Sequence, residues 1–582
     1  MGLVTLLALC VTVLLSGERA DAMGRKKPEK VVGIHLLSWT SDSLLAELGN
    51  RIPDLADQGI NLIFLEVDYG FEFESHPELR QGGPIISRDG ARRFAEICRK
   101  HGIRLIPQFQ MLGHQSWAGT TFSLLTVYPE LDLTPGAFPG NEGLYCREWD
   151  LTNPRVNEIV FPMVDEIVDA FDADGIHVGM DEIFLLGAEE SPNTKGKDPA
   201  RLFAQAVNEY HAHFVKEKGL EMFMWGDRFI DGEVHSFGEY ESSLNGTAPA
   251  VDMIPRDIVI CDWHYEPRPA YSSIPMFIEK GFRVLPSSWR KPSGVRALVK
   301  YSYGLEHPKM IGHLFTTWSR LDGERLVNYR PLRVGVTTIR DGRYFDVTFD
   351  PQHPSTDELV VELATQRPDL AIYYRVDPPG RAGEVSEPDQ HDLKYDGPIH
   401  LRHSATVRAV AYRHSVAVSD MTERRFYLHK GLRRPVELTV TASPKYPAVS
   451  GNATLVNGVT GSESYGDDQW VGAEGTGLEA VVDLGAATDV SRIVVHSLNN
   501  RSNWVHQAAE VRVAGSKDGT TYTALGSVSF SDEESAIVTH VVAFEPSTAR
   551  FVKVTIPPRT IPKGRSGAGN PAWLFVDEII IE

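Results

Sequence analysis

Hydrophobic residues recur along the first 335 residues as short runs, each followed by a polar loop and then by an amphipathic segment with helical spacing. The clearest of these segments predict helices over Asp89–His101, Pro154–Phe171 and Asp198–Lys218. Eight strand–helix units predict a (β/α)8 barrel over residues 30–336, and the alternative is a doubly wound open sheet. The predicted strands are Val31–Trp39, Asn61–Val67, Arg104–Phe109, Gly175–Val178, Glu221–Trp225, Ile258–Trp263, Phe282–Pro286 and Ile311–Trp318.

The pattern changes after about residue 340 to short runs in which apolar and polar residues alternate, separated by turn residues. Alternation with period two is typical of strands that have one buried face. It predicts a small immunoglobulin-like β-sandwich over 340–432 and a second all-β domain over 445–582. The chain is therefore predicted to be multidomain, with a barrel followed by two β domains.

Composition excludes several classes of protein. Of the 582 residues, 42% are hydrophobic and 23% are charged, so a globular chain with buried cores is expected. The net charge of −20 would repel a phosphate backbone, which argues against nucleic acid as a partner. Four cysteines are too few for a disulfide-built scaffold, and their spacing suggests no zinc site.

The amino-terminal pattern predicts export. Leu3–Leu15 is an apolar run of signal-peptide length, and Ala20-Asp21-Ala22 is a small-x-small cleavage pattern, so residues 1–22 are predicted to be a signal peptide. The mature protein would then be secreted or periplasmic. Since no Lys or Arg precedes the apolar run, a cytoplasmic protein that starts at Met23 remains the alternative. No other stretch is apolar enough to predict a membrane span.

The predicted barrel locates the candidate chemistry, because active sites of such barrels lie at the carboxyl ends of the strands. Polar and aromatic side chains follow nearly every predicted strand. Carboxylates and indoles together suit a sugar, because the C–H faces of a pyranose stack on aromatic rings and its hydroxyls bond polar groups. Taken singly, each residue could equally be a core or rim residue. The candidate substrate-binding residues are His114, His177, Trp225, Asp227, Trp263, Tyr265, Glu266, Trp318 and Arg320.

Two adjacent acids, Asp181 and Glu182, follow the fourth predicted strand and are the candidate catalytic residues. Neighbouring residues cannot form the opposed acid and nucleophile of ordinary retaining glycosidases. One of them can protonate a leaving oxygen while the other orients a 2-acetamido group whose own oxygen attacks C1. The alternative is a structural pair of acids at a helix amino terminus.

The segment His177–Glu182 has the sequence His-Val-Gly-Met-Asp-Glu and resembles the His-x-Gly-Gly-Asp-Glu signature of glycoside hydrolase family 20, the β-N-acetylhexosaminidases. The resemblance covers about 300 residues, and the barrel that starts near the amino terminus is similar to the short, hexosaminidase D type. Further matching segments are Ile106-Pro107, Gly113-His114, Trp225-Gly226-Asp227, Leu65–Tyr69 and Asp181–Gly187.

The resemblance implies an exo-acting β-N-acetylhexosaminidase that uses substrate assistance. Glu182 would be the general acid/base and Asp181 the acetamide-orienting residue, with walls formed by Trp225, Trp263 and Trp318. Tyr265 would bond the acetamide oxygen. No cofactor for catalysis and no metal in the barrel are implied.

Three departures from the family pattern bear on the sugar. Met180 replaces the second glycine, and the strand-one arginine is absent, since Gly33–Leu36 stands there. Trp318-Ser319-Arg320 replaces the family's Trp-x-Glu. Arg320 is a candidate for contact with an anionic group of the glycan, with a salt bridge at the barrel rim as the alternative.

Two further segments give expectations. The long connection 115–153 is rich in aromatic residues and is either a lid or subsite wall, or packing on the barrel rim. The last domain resembles a discoidin (factor 5/8 type C) module in Asn457-Gly458, Gln469–Gly472, Val482–Gly485 and Ser516–Gly519. That resemblance implies sugar binding, for which the candidates are His496, Asn499, Arg501 and Trp504, and a structural calcium that involves Glu578.

Three functional hypotheses remain at this point. The first is an exported hydrolase that acts on glycans with terminal N-acetylhexosamine. The second, motivated by Met180 and Arg320, is a catalytically silent glycan-binding protein on the same scaffold. The third is a barrel glycosidase with a conventional nucleophile such as Glu66 or Glu266. The choice between N-acetylglucosamine and N-acetylgalactosamine, the linkage and the oligomeric state stay open.

Overall fold

The computed structural model describes residues 30–352, 357–379, 386–440 and 442–582. These residues divide into two compact units at the boundary between Tyr344 and Phe345. The predicted signal peptide and Met23 lie outside the described residues. Within the described part of the chain, no helix combines the length and the apolar character needed to cross a membrane.

The first unit is a closed barrel of eight parallel strands, β1 to β8, arranged around the barrel in chain order. Pairing of Val31 with Gly312 joins β1 to β8 and closes the sheet. The predicted barrel is therefore confirmed, and the open doubly wound sheet is wrong. The strands are Val31–Leu36, Leu62–Glu66, Arg104–Met111, Gly175–Gly179, Glu221–Trp225, Val259–Trp263, Arg283–Ser288 and Gly312–Thr316.

Helices cover the outside of the barrel. Their apolar residues recur at helical spacing, so each helix has one apolar face that it buries against the sheet. The longest, Arg155–Phe171, buries Val156, Ile159, Val160 and other apolar residues at helical spacing. The α-helices, α1 to α11, are Asp42–Gly49, Ile52–Asp57, Arg88–Lys100, Ser123–Val127, Arg155–Phe171, Pro199–His211 (continued by a π-helical turn, Ala212–Glu217), Gly232–His235, Ser273–Glu279, Pro292–Gly304, Gly323–Val327 and Arg330–Asp341. The 3₁₀ turns of this unit are Pro77–Leu79, Pro129–Leu131, Pro139–Asn141, Asp227–Phe229 and Ala248–Asp252.

Register places the polar ends of neighbouring strands side by side. Glu66 of β2 pairs with Gln108 of β3, which in turn pairs with His177 of β4. The barrel interior below is filled by a separate cluster of buried side chains that includes Phe64, Phe223 and Trp225, so the barrel is a packed core and not a channel. Chemistry is thereby confined to the mouth at the carboxyl ends.

The second unit is built from antiparallel sheets, which confirms the all-β prediction. A three-stranded and a five-stranded sheet contain β9 to β16: Val347–Gln352, Leu359–Thr365, Ala371–Asp377, Leu393–Lys394, Ile399–Leu401, Ala405–Arg413, Val416–Ala417 and Thr422–Phe426. A seven-stranded sheet contains β17 to β23: Val436–Leu438, Val471–Glu474, Leu478–Leu498, Glu510–Ser516, Thr523–Ser529, Ile537–Ile556 and Trp573–Ile581. Its 3₁₀ turns are Gly451–Val456 and Arg501–Asn503.

Candidate active site

Left-handed backbone conformations collect just beyond the barrel strands. Such positions strain non-glycine residues and are concentrated at functional sites. His114, Glu182 and Trp318, which the sequence predicts as site residues, have φ values of 50°, 53° and 44°. The other residues of this kind near the strand ends are Ser38, Asp68, Leu112 and Met180.

The turn after β4 depends on a glycine. Gly179 has φ of 63°, and a Cβ placed there would lie 1.4 Å from the side-chain oxygen of Gln110. Any other residue would therefore displace Gln110, whose Nε2 donates to Asp181 Oδ1 at 2.9 Å. The glycine in this turn therefore also determines the position of Asp181, through Gln110.

Met180 occupies the position where the family pattern has a second glycine, and its φ of 67° is one that glycine adopts without strain. Its side chain is 1% exposed and belongs to the hydrophobic core outside the barrel sheet. The methionine therefore combines backbone strain with side-chain burial, and its side chain does not enter the mouth.

The substitution Met180→Gly should destabilise the barrel by about 1–3 kcal/mol. Loss of a buried methionine costs about 2–5 kcal/mol, whereas relief of the left-handed conformation returns about 1–2 kcal/mol. Met180→Ala keeps most of the strain and should be less stable than the glycine variant. Denaturant unfolding of the three proteins measures their order of stability, which should be wild type, then Met180→Gly, then Met180→Ala. A glycine variant at least as stable as the wild type would contradict this expectation.

Asp181 is 4% exposed and is held by two side chains. Gln110 donates to one carboxylate oxygen, and Nε2 of His114 lies 3.4 Å from the other. Burial alone would raise the pKa of Asp181, but the charge and close contact of His114 together with the Gln110 amide hold it below its usual value. Asp181 is therefore an ionised acceptor in the mouth.

Glu182 is positioned from two sides. Its backbone N–H donates to Asp227 Oδ2 at 2.9 Å, and its carboxylate Oε2 accepts a hydrogen bond of 2.6 Å from the Tyr145 hydroxyl. The residue is 9% exposed, so its carboxylate is at the edge between the interior and solvent. A carboxyl group in such a place can reach a leaving oxygen.

His114 joins the two acids. Its Nε2 lies 3.4 Å from Asp181 and 3.3 Å from Glu182. Burial would lower the pKa of His114, but the Asp181 charge and the contacts with both carboxylates raise it well above its ordinary value. The three donor atoms lie within 4.8 Å of one another, a spacing that a metal ion could also bridge; that the barrel needs no metal stays a prediction.

Asp227 is buried beneath the pocket, where its carboxylate contacts other site residues. It is 1% exposed, and its oxygens accept from the Glu182 backbone, from Arg228 Nε at 2.7 Å and from the Trp263 indole at 3.2 Å. Burial raises its pKa to about 6, against the pull of the Arg228 charge. Asp227, predicted as a substrate-binding residue, therefore lies where it fixes Glu182 and Trp263.

The predicted aromatic wall forms two contacting layers. Trp225 is fully buried, and its ring centroid lies 5.3 Å from that of Trp318. His35 of β1 packs against both rings, with its ring centroid 5.5 Å from that of Trp225 and 4.9 Å from that of Trp318.

The second layer is the stacked pair of Trp263 and Tyr265, whose ring centroids are 4.8 Å apart. The Trp318 indole donates to the Tyr265 hydroxyl, which ties the two layers together. Tyr265 is half-buried. The fold thus brings together the three tryptophans predicted as pocket walls and Tyr265, which was predicted to bond the acetamide oxygen.

Three predicted residues are not part of this group. His177 is buried inside the barrel, where its Nδ1 accepts from the Gly179 backbone, and burial lowers its pKa well below the usual value. Glu266 pairs with Lys291 at 2.5 Å in an exposed ion pair. Arg320 lies 3.7 Å from Glu47, also exposed, which matches the rim alternative.

His264 follows the wall residue Trp263 and is fully buried between Glu241 (2.8 Å) and Asp262 (3.3 Å). Burial would lower its pKa, but the two carboxylates raise it to about 9. Because the folded pKa lies above the unfolded value, its stabilising effect is complete below about pH 6.5 and disappears as the pH rises through 9.

We expect His264→Gln to destabilise the barrel by about 1–3 kcal/mol near pH 6, and by progressively less toward pH 9.5. Thermal or denaturant unfolding of wild type and variant across this range measures the difference. A difference that stays constant or grows with pH would contradict the assignment.

Sequence reasoning did not select Gln110 or Tyr145 as site residues. Gln110 was visible as a polar side chain at the end of the third strand, and Tyr145 as one of several aromatic residues in the 115–153 connection. Within this connection Trp149 is fully buried, as expected for packing on the barrel, whereas the Tyr145 hydroxyl reaches Glu182. A role as lid or subsite wall stays a prediction.

Two family models match parts of the chain. Residues 45–290 match the model of the glycosyl hydrolase family 20 catalytic domain. The predicted resemblance of the barrel to this family is confirmed. Residues 439–568 match the F5/8 type C domain, so the predicted discoidin-like module is confirmed as well.

The individual proteins to which this chain is similar are distant in sequence. Lacto-N-biosidase of Bifidobacterium bifidum is 23% identical over 192 residues, 31% of this chain and 16% of that protein. Beta-hexosaminidase of Emericella nidulans is 22% identical over 280 residues, 42% and 40% of the two chains. The chain thus spans less than half the length of either relative. The solved Flavobacterium johnsoniae chitobiase is 16% identical, with 53% and 47% covered and a TM-score of 0.37.

The four candidate sugar-binding residues of the discoidin-like module differ in burial and in their contacts. His496 is 3% exposed and lies 3.4 Å from Asp577, so it is an interior residue. Asn499 donates to the backbone oxygens of Glu533 and Ser535, and Arg501 pairs with Glu534. Trp504 is 43% exposed. Trp504 alone of these four candidates offers a large exposed surface for a sugar.

Glu578, which the resemblance implies as part of a structural calcium site, lies in the interior of the module. Its carboxylate is fully buried, with one oxygen 2.8 Å from His429 Nε2 and the other accepting from the Gly458 backbone N–H. Burial raises its pKa well above the usual value, and the charge of the neighbouring Asp577 adds to this. A structural calcium at this place stays a prediction.

Proposed function

We propose that this chain is an exo-acting β-N-acetylhexosaminidase that removes terminal N-acetylhexosamine from glycans with retention of configuration, through attack by the substrate's own acetamido oxygen. The observation that carries the proposal is the joint contact of Asp181 and Glu182 with one imidazole nitrogen of His114. Two acids gathered on one side of a pocket suit a substrate that supplies its own nucleophile.

The placement of the two acids supports this mechanism over an ordinary double displacement. One oxygen of Asp181 and one of Glu182 contact the same nitrogen of His114. The two acids of an ordinary retaining pair must instead flank the sugar from opposite sides. Two consecutive residues around one side chain cannot flank a ring in that way.

The roles follow from the contacts. Glu182, at the solvent edge, protonates the leaving oxygen and then deprotonates the attacking water. Asp181, ionised and buried, accepts the acetamide N–H and stabilises the positive charge of the oxazolinium ion. The layers formed by Trp225, Trp318, Trp263 and Tyr265 hold the sugar, with the Tyr265 hydroxyl directed to the acetamide oxygen.

A conventional nucleophile receives less support. Burial raises the pKa of Glu66 well above its usual value, and the charges of Asp68 and Asp181 add to this. A nucleophile must instead be ionised. Glu266 is engaged in an exposed ion pair with Lys291.

Met180 and Arg320, the two residues that motivated the hypothesis of a silent binder, do not block the pocket at the carboxyl ends of the strands. Met180 is buried in the core, and Arg320 is exposed beside Glu47. We therefore favour an active enzyme. Export is part of the proposal and rests on the 1–22 pattern; amino-terminal sequencing of the secreted protein tests it.

The test compares aryl N-acetyl-β-glucosaminide, aryl N-acetyl-β-galactosaminide and aryl β-glucoside as substrates, with a thiazoline mimic of the bicyclic intermediate as inhibitor. We expect turnover of at least one acetamido sugar, inhibition by the thiazoline, no turnover of the glucoside, and a β-configured first product by NMR. Efficient cleavage of the glucoside would favour a protein nucleophile. No turnover, with binding on a glycan array, would favour the silent binder.

A further inference from the structure

Four aromatic side chains gather around Tyr145, whose hydroxyl donates to Glu182. We name Trp117, Tyr145, Phe184 and Tyr240 the aromatic cluster. Their rings contact one another around Tyr145, with centroid distances of 5.9 Å to Trp117, 5.6 Å to Phe184 and 5.3 Å to Tyr240. They come from the connections after β3, β4 and β5.

The cluster is open to solvent. Trp117 is 59% exposed, Tyr240 49% and Tyr145 36%. Large aromatic residues are costly to leave in water, and exposed groups of them mark binding sites. The pocket-wall aromatics on the strand ends, by contrast, are buried or half-buried, so the two sets form separate surfaces.

Side-chain hydrogen bonds within the 115–153 connection hold the hairpin that carries Trp117 in place. Buried Arg147 bonds the carboxylate of Asp132 and donates to the side-chain oxygen of Asn141 at 2.6 Å. Asn141 in turn donates to the backbone oxygen of Ala118, in the turn of the hairpin that carries Trp117. A preformed aromatic surface loses little entropy when it binds a ligand.

The structure assigns the aromatic cluster as the subsite for the departing part of the glycan, a neutral pyranose ring that stacks its C–H face on these side chains. This assignment rests on the proposed function. Glu182 must lie within hydrogen-bond distance of the glycosidic oxygen that it protonates, and the leaving sugar is bonded to that same oxygen. Because Tyr145 donates to Glu182 at 2.6 Å, a sugar beside the acid also lies beside the cluster.

The experiment uses two substrates that differ only in the leaving group. The first is the β-fluoride of the N-acetylhexosamine that the wild type prefers, whose leaving group is one atom and cannot reach the cluster. The second is a disaccharide with the same sugar β-linked to N-acetylglucosamine or galactose, chosen as the best cleaved of a small linkage panel. The variants are Trp117→Ala, Tyr240→Ala and the double variant; Tyr145 is left intact because its hydroxyl touches the acid.

We expect kcat/KM on the disaccharide to fall about tenfold in each single variant and further in the double variant, which corresponds to about 1.4 kcal/mol per ring. On the fluoride it should stay within about twofold. The matched control is Tyr128→Ala, in the same connection, since Tyr128 instead contacts Glu78 and Arg155.

Each other outcome overturns a defined statement. Equal losses on both substrates would show that the rings serve the structure of the mouth, and unchanged disaccharide kinetics would show that no leaving sugar binds there. If the wild type cleaves neither the fluoride nor any disaccharide, the proposed function itself fails. Thermal unfolding of each variant checks that the fold is intact.

Discussion

Glu182→Gln should lower kcat/KM about a hundredfold or more on an aryl N-acetyl-β-hexosaminide whose phenol is a poor leaving group. The amide keeps the size of the side chain and can still accept from Tyr145, and the backbone bond to Asp227 is unaffected. What it loses is the proton that the leaving oxygen needs. Steady-state kinetics with purified wild type and variant give the ratio.

The leaving group makes this prediction specific. A dinitrophenyl glycoside needs little protonation, so on that substrate the Glu182→Gln variant should recover most of the wild-type rate of the first step. Glu190→Gln, an exposed acid in the same connection, is the matched control and should stay within about twofold on both substrates. An equal loss on both glycosides would mean that Glu182 does not act as the acid.

Asp181→Asn should also reduce kcat/KM by about a hundredfold or more, but without recovery on the dinitrophenyl glycoside. Asparagine removes the negative charge that faces the oxazolinium ion, and its amide adds a donor where the acetamide N–H needs an acceptor. It also leaves His114 with one carboxylate partner fewer. The loss concerns ring closure, which every acetamido substrate must pass through.

Thiazoline binding separates this role from a structural one. The inhibitor resembles the cyclised intermediate, so its inhibition constant should rise in Asp181→Asn by a factor similar to the loss in kcat/KM. Unchanged thiazoline affinity, or recovery of the variant on the dinitrophenyl glycoside, would contradict the assigned role. The melting temperature of the variant reports whether loss of the His114 contact has damaged the fold.

The barrel could be predicted from sequence because each strand is a continuous apolar run and each helix has its own period. Asp181 and Glu182 could be selected because they follow the fourth run directly, where a barrel collects its chemistry. Both inferences use residues close together in the chain. The left-handed conformation of Met180 and its burial, in contrast, depend on the packing of the turn.

Contacts across long connections could not be predicted. Tyr145 lies in the irregular connection after β3 and contacts Glu182, which is 37 residues further along the chain. No periodic pattern in the sequence specifies how such a connection folds back over the barrel. Gln110 was visible at a strand end, but only the register of β3 against β4 brings it to Asp181. Asp227 was expected at the sugar, whereas its partners Arg228 and Trp263 place it behind Glu182.

The central claim is that the acetamido oxygen of the substrate, and not a side chain, attacks C1. Its most direct test is a series of aryl glycosides with N-acetyl, N-monofluoroacetyl, N-difluoroacetyl and N-trifluoroacetyl groups, since each fluorine withdraws electrons from the amide oxygen and weakens it as a nucleophile. The account predicts that kcat/KM falls steeply and progressively along the series, by about tenfold or more in total. Rates that do not change with fluorination would contradict it and would indicate a nucleophile supplied by the protein.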